Sequence, residues 1–379
     1  MIWNSEQQAA YHASVNFAQS HLNSDLRRLD RNSEFDPEKW QRCADFGVFA
    51  WCMPKAYGGR EIDIVTTVRQ FEGLGYGCRD NGFTLGINGQ VWAVQEPLLT
   101  FGSDAQKQKY LSALCNGTMI AAHGMTELGS GSDAFSLKTT AEKVQDGYVL
   151  NGSKHYVGMA PVADMSLIFA NTNPSAGNWG VSVFIVEKGF DGYHAGKPIE
   201  KMGLRSNPTG SIELTDCFVP EENRLGPEGI GVSLFNQSMD WERGFIFSSH
   251  VGSMARQLEQ CISYAQNRQQ FGQPIGKFQA ISHRIVEMKQ RLDNARAMLY
   301  RVAELKDNDQ SATLEASLAK LQIAEAFCEN SMDSIRIHGA LGYMSDEEIE
   351  RDLRDATGGV LYSGTSDIQK NIVAQLLGL

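Results

Sequence analysis

From Gly276 onward, apolar side chains recur at helical spacing. Phe278, Ile281, Ile285, Leu292, Ala295, Leu299 and Val302 are three, four or seven residues apart, the stripe that a long amphipathic helix buries. A second segment of this kind runs from about Ala312 to His338, and a third from Ile368 to Leu377. No proline follows Pro274, so this stretch lacks the strongest helix breaker. The first 120 residues also read as mostly helical, with polar breaks at Asn32-Ser33, Tyr57-Gly58-Gly59 and Gly102-Ser103-Asp104. The middle differs. Six of the ten prolines fall between Pro161 and Pro227, among short β-rich runs such as Gly147-Tyr-Val-Leu, Met165-Ser-Leu-Ile-Phe-Ala, Gly180-Val-Ser-Val-Phe-Ile-Val and Ser211-Ile-Glu-Leu. Asn-Gly, Asn-Pro-Ser and Asp-Gly signals separate them, and Asn151-Gly152 reads as a hairpin turn. The pattern predicts an α+β multidomain chain: helices over 1–120, a β domain over 121–230 and helices over 231–379. Ligand clefts favour domain junctions, which directs attention to the seams.

Composition narrows the partners. Of 379 residues, 42% are hydrophobic and 21% charged, as in an ordinary globular protein. Lys and Arg number 34 against 45 Asp and Glu, a net charge of −11, which argues against wide contact with nucleic acid or an anionic membrane. Seven cysteines, odd in number and never in a C-x-x-C pair, read as reduced thiols of a cytoplasmic protein. The start, MIWNSEQQAAYH, lacks the order of a signal peptide. No apolar run approaches the roughly 18 residues of a membrane span.

Candidate chemistry gathers at the seams. In Met125-Thr-Glu-Leu-Gly-Ser-Gly-Ser-Asp133, glycines let the backbone approach a ligand while Thr126 and Ser132 offer hydroxyls; alone, it reads sooner as a plain turn than as a ligand loop. Tyr156, in Asn151-Gly-Ser-Lys-His-Tyr-Val-Gly158, reads alone as core packing. Asp240, Glu242 and Arg243 precede an apolar stretch and read either as a first-turn acidic cluster favoured by the helix dipole or as a partly buried carboxylate able to act as a base. Arg268, in Arg-Gln-Gln-Phe-Gly-Gln-Pro-Ile-Gly276, has the fork to hold a pyrophosphate. His338-Gly-Ala-Leu-Gly-Tyr343 is a glycine-rich break, and Ser363, Thr365 and Ser366 are candidate caps of the last helix.

Singly these decide nothing; their order does. With Lys201-Met-Gly-Leu-Arg and the terminal Gly-Thr-Ser-x-Ile-Gln, the sequence resembles the acyl-CoA dehydrogenase family from end to end. That resemblance implies an N-terminal helical domain, a central β-barrel-like domain and a C-terminal four-helix bundle. It implies FAD as cofactor, with Met125, Thr126, Gly131, Ser132, Tyr156 and Gly158 around the flavin. Arg268, Phe271, Gln279, Arg336, Gly339 and Ala340 would reach the dinucleotide held by a neighbouring subunit, and Thr365 and Asp367 the cofactor of their own. Shared sites imply a homo-oligomer, usually a tetramer. The family reaction removes a proton α to a thioester carbonyl and passes hydride to flavin N5, with the Ser363 N–H donating to the thioester oxygen.

Departures sharpen the resemblance. The usual base is Glu in Tyr-Glu-Gly-Thr; here Ser363 occupies that position, and a hydroxyl is too weakly basic to replace it. A minority of the family places the Glu in Asp-x-Glu-Arg, present here as Asp240-Trp-Glu242-Arg243. Glu242 is therefore the expected base, with Ser132, Asp240 and Arg243 on the substrate. Leu128 replaces a usual proline, Gly158 a threonine and Arg336 a glutamine. Ser-Met-x-Trp-Glu, the terminal Ser363-Gly-Thr-x-Asp-Ile-Gln-Lys, Ala160-Pro-Val-Ala-Asp and Thr172-Asn-Pro are similar to the natural-product branch that oxidises prolyl groups on carrier proteins. The substrate so implied is an aminoacyl thioester of phosphopantetheine, with an electron-transfer flavoprotein or O₂ taking the electrons. The alternatives are a short- or branched-chain acyl-CoA dehydrogenase and a flavin-binding scaffold without turnover.

Overall fold

The computed structural model describes residues 3–379. Its N-terminal part is helical. The turns read from sequence are in place: Ser33 closes a helix in left-handed conformation, Gly58 follows a 3₁₀ turn, and Ser103 caps the segment after Gly102. One long helix from Asn81 to Phe101 contains a π-helical turn at Gln90–Gln95. That turn is buried on every side, so it leaves no amphipathic signature.

Eight strands form the middle sheet: β1 (Ala121–Gly124), β2 (Thr140–Val144), β3 (Gly147–Gly158), β4 (Met165–Asn171), β5 (Val181–Glu187), β6 (Tyr193–Ala195), β7 (Thr209–Pro220) and β8 (Arg224–Leu225). The order is β6-β7-β3-β2-β4-β5-β8, with β1 parallel to β4. Both faces of β4 and β5 are covered, so these strands are buried along nearly their whole length and mostly apolar. Alternation still sorts them: Ile168, Phe184 and Val186 fill the sheet's own core with Tyr148, Leu150 and Ile212, while Leu167, Phe169, Val183 and Ile185 join the helical core.

One expectation fails. Asn151-Gly152 makes no turn; it lies inside β3, where a bulge separates Leu150 from Gly152. A Cβ on Gly152 would stand 2.5 Å from Thr139 Oγ1, so the glycine serves a close strand approach rather than a reversal. The β2–β3 reversal falls instead at Asp146, whose φ is 64°.

The C-terminal helices are Gly231–Phe245, Ser248–Asn267, Gln279–Asp307, Thr313–His338, Ile349–Gly359 and Ser366–Leu376. The predicted stripe buries Leu292, Ala295, Leu299 and Val302 but leaves Ile281 and Ile285 half-buried. A single hydrophobic core runs from Ala18 to Ala356, shared by the N-terminal helices and the bundle. Their contact is backbone to backbone: a Cβ on Gly75 would fall 1.8 Å from Ser249 O, and one on Gly252 1.9 Å from Glu72 O. All seven cysteines are free thiols.

Candidate active site

Helix Gly231–Phe245 runs along the seam between sheet and bundle. Phe235, Met239 and Glu242 share one of its faces through spacings of four and three. Its other side is fixed by aromatic packing, with Trp92 stacked on Trp241 at 6.1 Å and against Phe245 at 4.8 Å. Asp240, Glu242 and Arg243 lie in the last turns of this helix, not the first, so the dipole does not account for the carboxylates.

Glu242 is 9% exposed, and Ser363 Oγ donates a hydrogen bond to its Oε1. The Ser363 loop is tightly built. Ser363 and Gly364 are both left-handed (φ 54° and 82°), and the Gln369 amide donates to their carbonyls at 3.1 Å each. Thr365 caps the last helix by accepting from Ile368 N at 3.1 Å. Among the described residues the Ser363 N–H has no protein acceptor.

Charged and polar groups surround this pair. Lys320, fully buried, donates to Gly359 O at 2.9 Å, and burial pushes its ammonium down to about 8. Burial also holds the Arg243 guanidinium below its ordinary value; its Nε is sealed without a partner, as is the Tyr362 hydroxyl. Asp240 goes elsewhere. It accepts from Thr313 Oγ1 at 2.6 Å, and two residues of helix turn it about 200° from Glu242. The structure therefore places Asp240 in the bundle, not beside Glu242.

The loop after β1 forms the next wall. Met125 is buried, and Thr126 O accepts from His155 N at 2.8 Å, tying the loop to the end of β3. Glu127 anchors it further, accepting from Lys154 Nζ at 2.8 Å, Thr139 Oγ1 at 2.6 Å and Lys138 N at 2.6 Å. Burial opposes both charges of this pair. It pushes Lys154 down to about 8, whereas for Glu127 the hydrogen bonds outweigh burial and hold the carboxyl below its usual range. Beyond the anchor the loop is open: Gly129 and Gly131 have nothing within 4 Å of a would-be Cβ, and Ser132 is exposed. Facing it, Tyr156 is 63% exposed at φ 57°, and Gly158 lies beside Asn207, whose Oδ1 is sealed without a donor. An open glycine floor, an exposed aromatic and an orphaned acceptor fit a flat, hydrogen-bonding ring such as a flavin.

A second group assembles at the far end of the bundle. Arg268 and Phe271 lie on or beside the β-hairpin that follows helix Ser248–Asn267, and Gln279 opens the next helix. Arg336, Gly339 and Ala340 lie where helix Thr313–His338 ends, and the Tyr264 and His338 rings join the two ends at 4.4 Å. Phe271 is 94% exposed. Arg336 pairs with Asp333 at 3.3 Å, which also takes Arg284 and Arg291. Twenty residues of helix span about 30 Å, so these residues gather with one another and not with Glu242. Thr365 stays with the Ser363 loop, and Asp367, two residues on, is exposed and paired with Lys370.

Family models match almost the whole chain: the acyl-CoA dehydrogenase N-terminal domain over 4–118, the middle domain over 122–217 and the C-terminal domain over 229–378. The chain belongs to the acyl-CoA dehydrogenase family. Within that family it is 37% identical to an L-prolyl-[peptidyl-carrier protein] dehydrogenase of Serratia sp. (strain ATCC 39006), over 99% of this chain and 97% of that protein. It superposes on the prolyl acyl carrier protein oxidase AnaB with a TM-score of 0.99 and 50% identity, covering 100% of both chains. A structure described as PigA with FAD and proline gives a TM-score of 0.97 at 37% identity, covering 100% of this chain and 99% of that one. The pairing of Glu127 with Lys154 was not drawn from the sequence, although both residues sit in motifs that were. Lys320 carries no sequence signal, because burial alone makes it unusual; Tyr362 sits in the segment compared with Tyr-Glu-Gly-Thr, but its sealed hydroxyl was not readable there.

Proposed function

We propose that this chain is an FAD-dependent dehydrogenase or oxidase of a prolyl thioester carried on the phosphopantetheine of a carrier protein. The observation that carries this reading is the buried Glu242 carboxylate held by Ser363, beside the open glycine loop and within a fold shared with proteins described as acting on prolyl carriers. Met125, Thr126, Gly131, Ser132, Tyr156, Gly158, Thr365 and Asp367 would hold the FAD. When bound, FAD would supply the acceptor for the hydride that leaves the substrate atom next to the α carbon.

Glu242 takes the proton from the carbon α to the thioester carbonyl through the carboxylate oxygen that Ser363 leaves free. The unpaired Ser363 N–H donates to the thioester oxygen, where negative charge grows as the proton leaves. Burial of Lys320, Arg243 and Tyr362 around Glu242 keeps bulk water from the reacting carbon. The distal cluster of Arg268, Phe271, Gln279, Arg336, Gly339 and Ala340 serves the dinucleotide of a second copy, which makes the working unit a homo-oligomer, a tetramer on the family pattern. Electrons leave to an electron-transfer flavoprotein or to O₂. Free thiols throughout suit the cytoplasm, and among the described residues no helix is long and apolar enough to cross a membrane.

Anaerobic mixing of the FAD-loaded protein with prolyl-loaded carrier, and separately with a panel of acyl-CoA esters, tests this. Bleaching of the flavin by the prolyl carrier alone is expected; rapid bleaching by CoA esters overturns the carrier assignment. Glu242→Gln should keep its yellow cofactor and lose at least ~100-fold in the rate of bleaching. Wild-type bleaching by that variant would remove Glu242 from the mechanism.

A further inference from the structure

The Lys201-Met-Gly-Leu-Arg segment between β6 and β7 takes no part in removing the proton or in holding the thioester oxygen. It closes around its own lysine. Lys201 Nζ donates to Leu204 O at 2.9 Å, to Asn207 O and to Thr209 Oγ1 at 2.9 Å. The closed loop ends beside Tyr156 and Gly158, the residues assigned to the flavin. Pro208 O accepts from Met159 N at 2.6 Å, and Thr209 pairs with Gly158 across β7 and β3. The Asn207 amide lies 3.6 Å from where a Cβ on Gly158 would stand.

The other side of this loop rests on helix Ile349–Gly359. A Cβ on Gly203 would fall 2.3 Å from Arg354 O, and Arg354 Nη1 donates to Met202 O at 3.0 Å. Leu204, left-handed at φ 52°, donates its N–H to Asp355 Oδ1 at 2.6 Å. Asn81 Nδ2 donates to the other oxygen, Asp355 Oδ2, at 3.1 Å. Asp355 is 2% exposed, so neither donor can turn to water instead. One turn further on the helix ends. Gly359 O takes the Lys320 ammonium, and a Cβ on Gly358 would stand 3.0 Å from the Leu204 side chain and 3.2 Å from the Tyr362 ring. Ser363 follows, with its bond to Glu242. About 6 Å of helix therefore separates the grip on the flavin-side loop from the start of the loop that holds the base.

We infer that Asp355 is a positioning residue, which fixes the loop beside Gly158 relative to Glu242 by holding Leu204. The inference rests on the FAD reading and adds to it a residue that touches neither cofactor nor substrate. Proton and hydride leave adjacent atoms of one substrate, so base and acceptor need a fixed separation. A displacement of ~1 Å that originates away from the reacting atoms can cost ~100-fold in rate. A carboxylate suits the task better than an amide, because both of its oxygens accept; an amide turns its own NH₂ toward one of the two donors.

Asp355→Asn and Asp355→Ala are compared with the wild type as FAD-loaded proteins, using whichever thioester reduces the wild-type flavin. Rates are expressed per bound flavin, with Tm and flavin content recorded alongside. Asp355→Asn should lower kcat per flavin ~10-fold and Asp355→Ala ~100-fold, with little change in KM. The visible absorption band of the bound flavin should shift in both. A role in stability alone gives lower Tm or flavin content at wild-type rate and spectrum per flavin, and that result overturns the inference. If Asp355→Ala loads no flavin, the Asp355→Asn rate decides. Reduction by acyl-CoA esters in place of the prolyl carrier overturns the carrier reading and leaves this test intact. A wild-type flavin that no thioester reduces overturns both.

Discussion

Ser363 occupies the position where a carboxylate was to be expected, and its own hydroxyl donates to Glu242, the carboxylate proposed to replace it. A charge-assisted hydrogen bond of this kind contributes about 1.5–3 kcal/mol, and here it also selects which oxygen of Glu242 is free. Ser363→Ala should therefore lower kcat roughly ten-fold with little change in KM, and Ser363→Thr should recover part of the loss; stopped-flow flavin reduction reads both. Glu242 was legible in the sequence as an anomaly, because one missing Glu drew attention to another. Its bond to Ser363 was not, because it joins residues 121 positions apart and no local pattern encodes a partner at that distance. Asp240 was misplaced for the opposite reason: adjacency in sequence suggested a shared role, while the helix turns the two carboxylates to different neighbours.

Helices whose apolar residues recur regularly were legible, notably Gln279–Asp307 and Thr313–His338. Elements buried all round, such as the π turn at Gln90–Gln95, were not, since no polar face reveals their period. The loop after β1 was recognised by its glycines, yet its position depends on the ion pair between Glu127 and Lys154 beneath it. Removing one partner of a buried pair leaves an uncompensated charge, at a cost of about 3–5 kcal/mol. Lys154→Met should accordingly lower Tm and weaken FAD retention. The double variant with Glu127→Gln, which removes the stranded charge, should regain much of the stability but not all of the affinity. Thermal melts with and without added FAD separate the two effects.

At the scale of the molecule, the opposition of charge and burial sets the response to acid. His250 lies between Phe247 and Phe327 at 5.1 and 5.0 Å with neither ring nitrogen partnered, and burial lowers it to about 4. Asp352 and Arg256 are the charges that reach it, and they act in opposite directions. In the unfolded chain histidine protonates near pH 6.5, so as the pH falls the unfolded state gains its proton first. Stability is lost from about pH 6.5 down to about 4, on the order of 3 kcal/mol from this group. Asp355, pushed up to about 7 by burial, has the opposite sign: it favours the fold at low pH and loses that contribution as the pH rises from about 4 to 7. Replacing His250→Phe removes only the first effect. The urea midpoint at pH 4.5 should then rise relative to that at pH 7, compared with the wild type, because the low-pH contribution of Asp355 is no longer offset.

The glycine crossing between helices Ile64–Gly77 and Ser248–Asn267 bears on how the chain comes to be folded. The N-terminal helices carry one part of a core whose bundle part is synthesised more than 170 residues later. Until then Phe71, Leu74 and Trp92 lack the part of their cover that the bundle supplies, and at ordinary elongation rates of 5–20 residues per second that interval is on the order of ten seconds or more. The N-terminal third is thus the natural client of a chaperone on the nascent chain, and nonsense or frameshift truncations before Ser248 should yield insoluble fragments rather than a smaller stable domain.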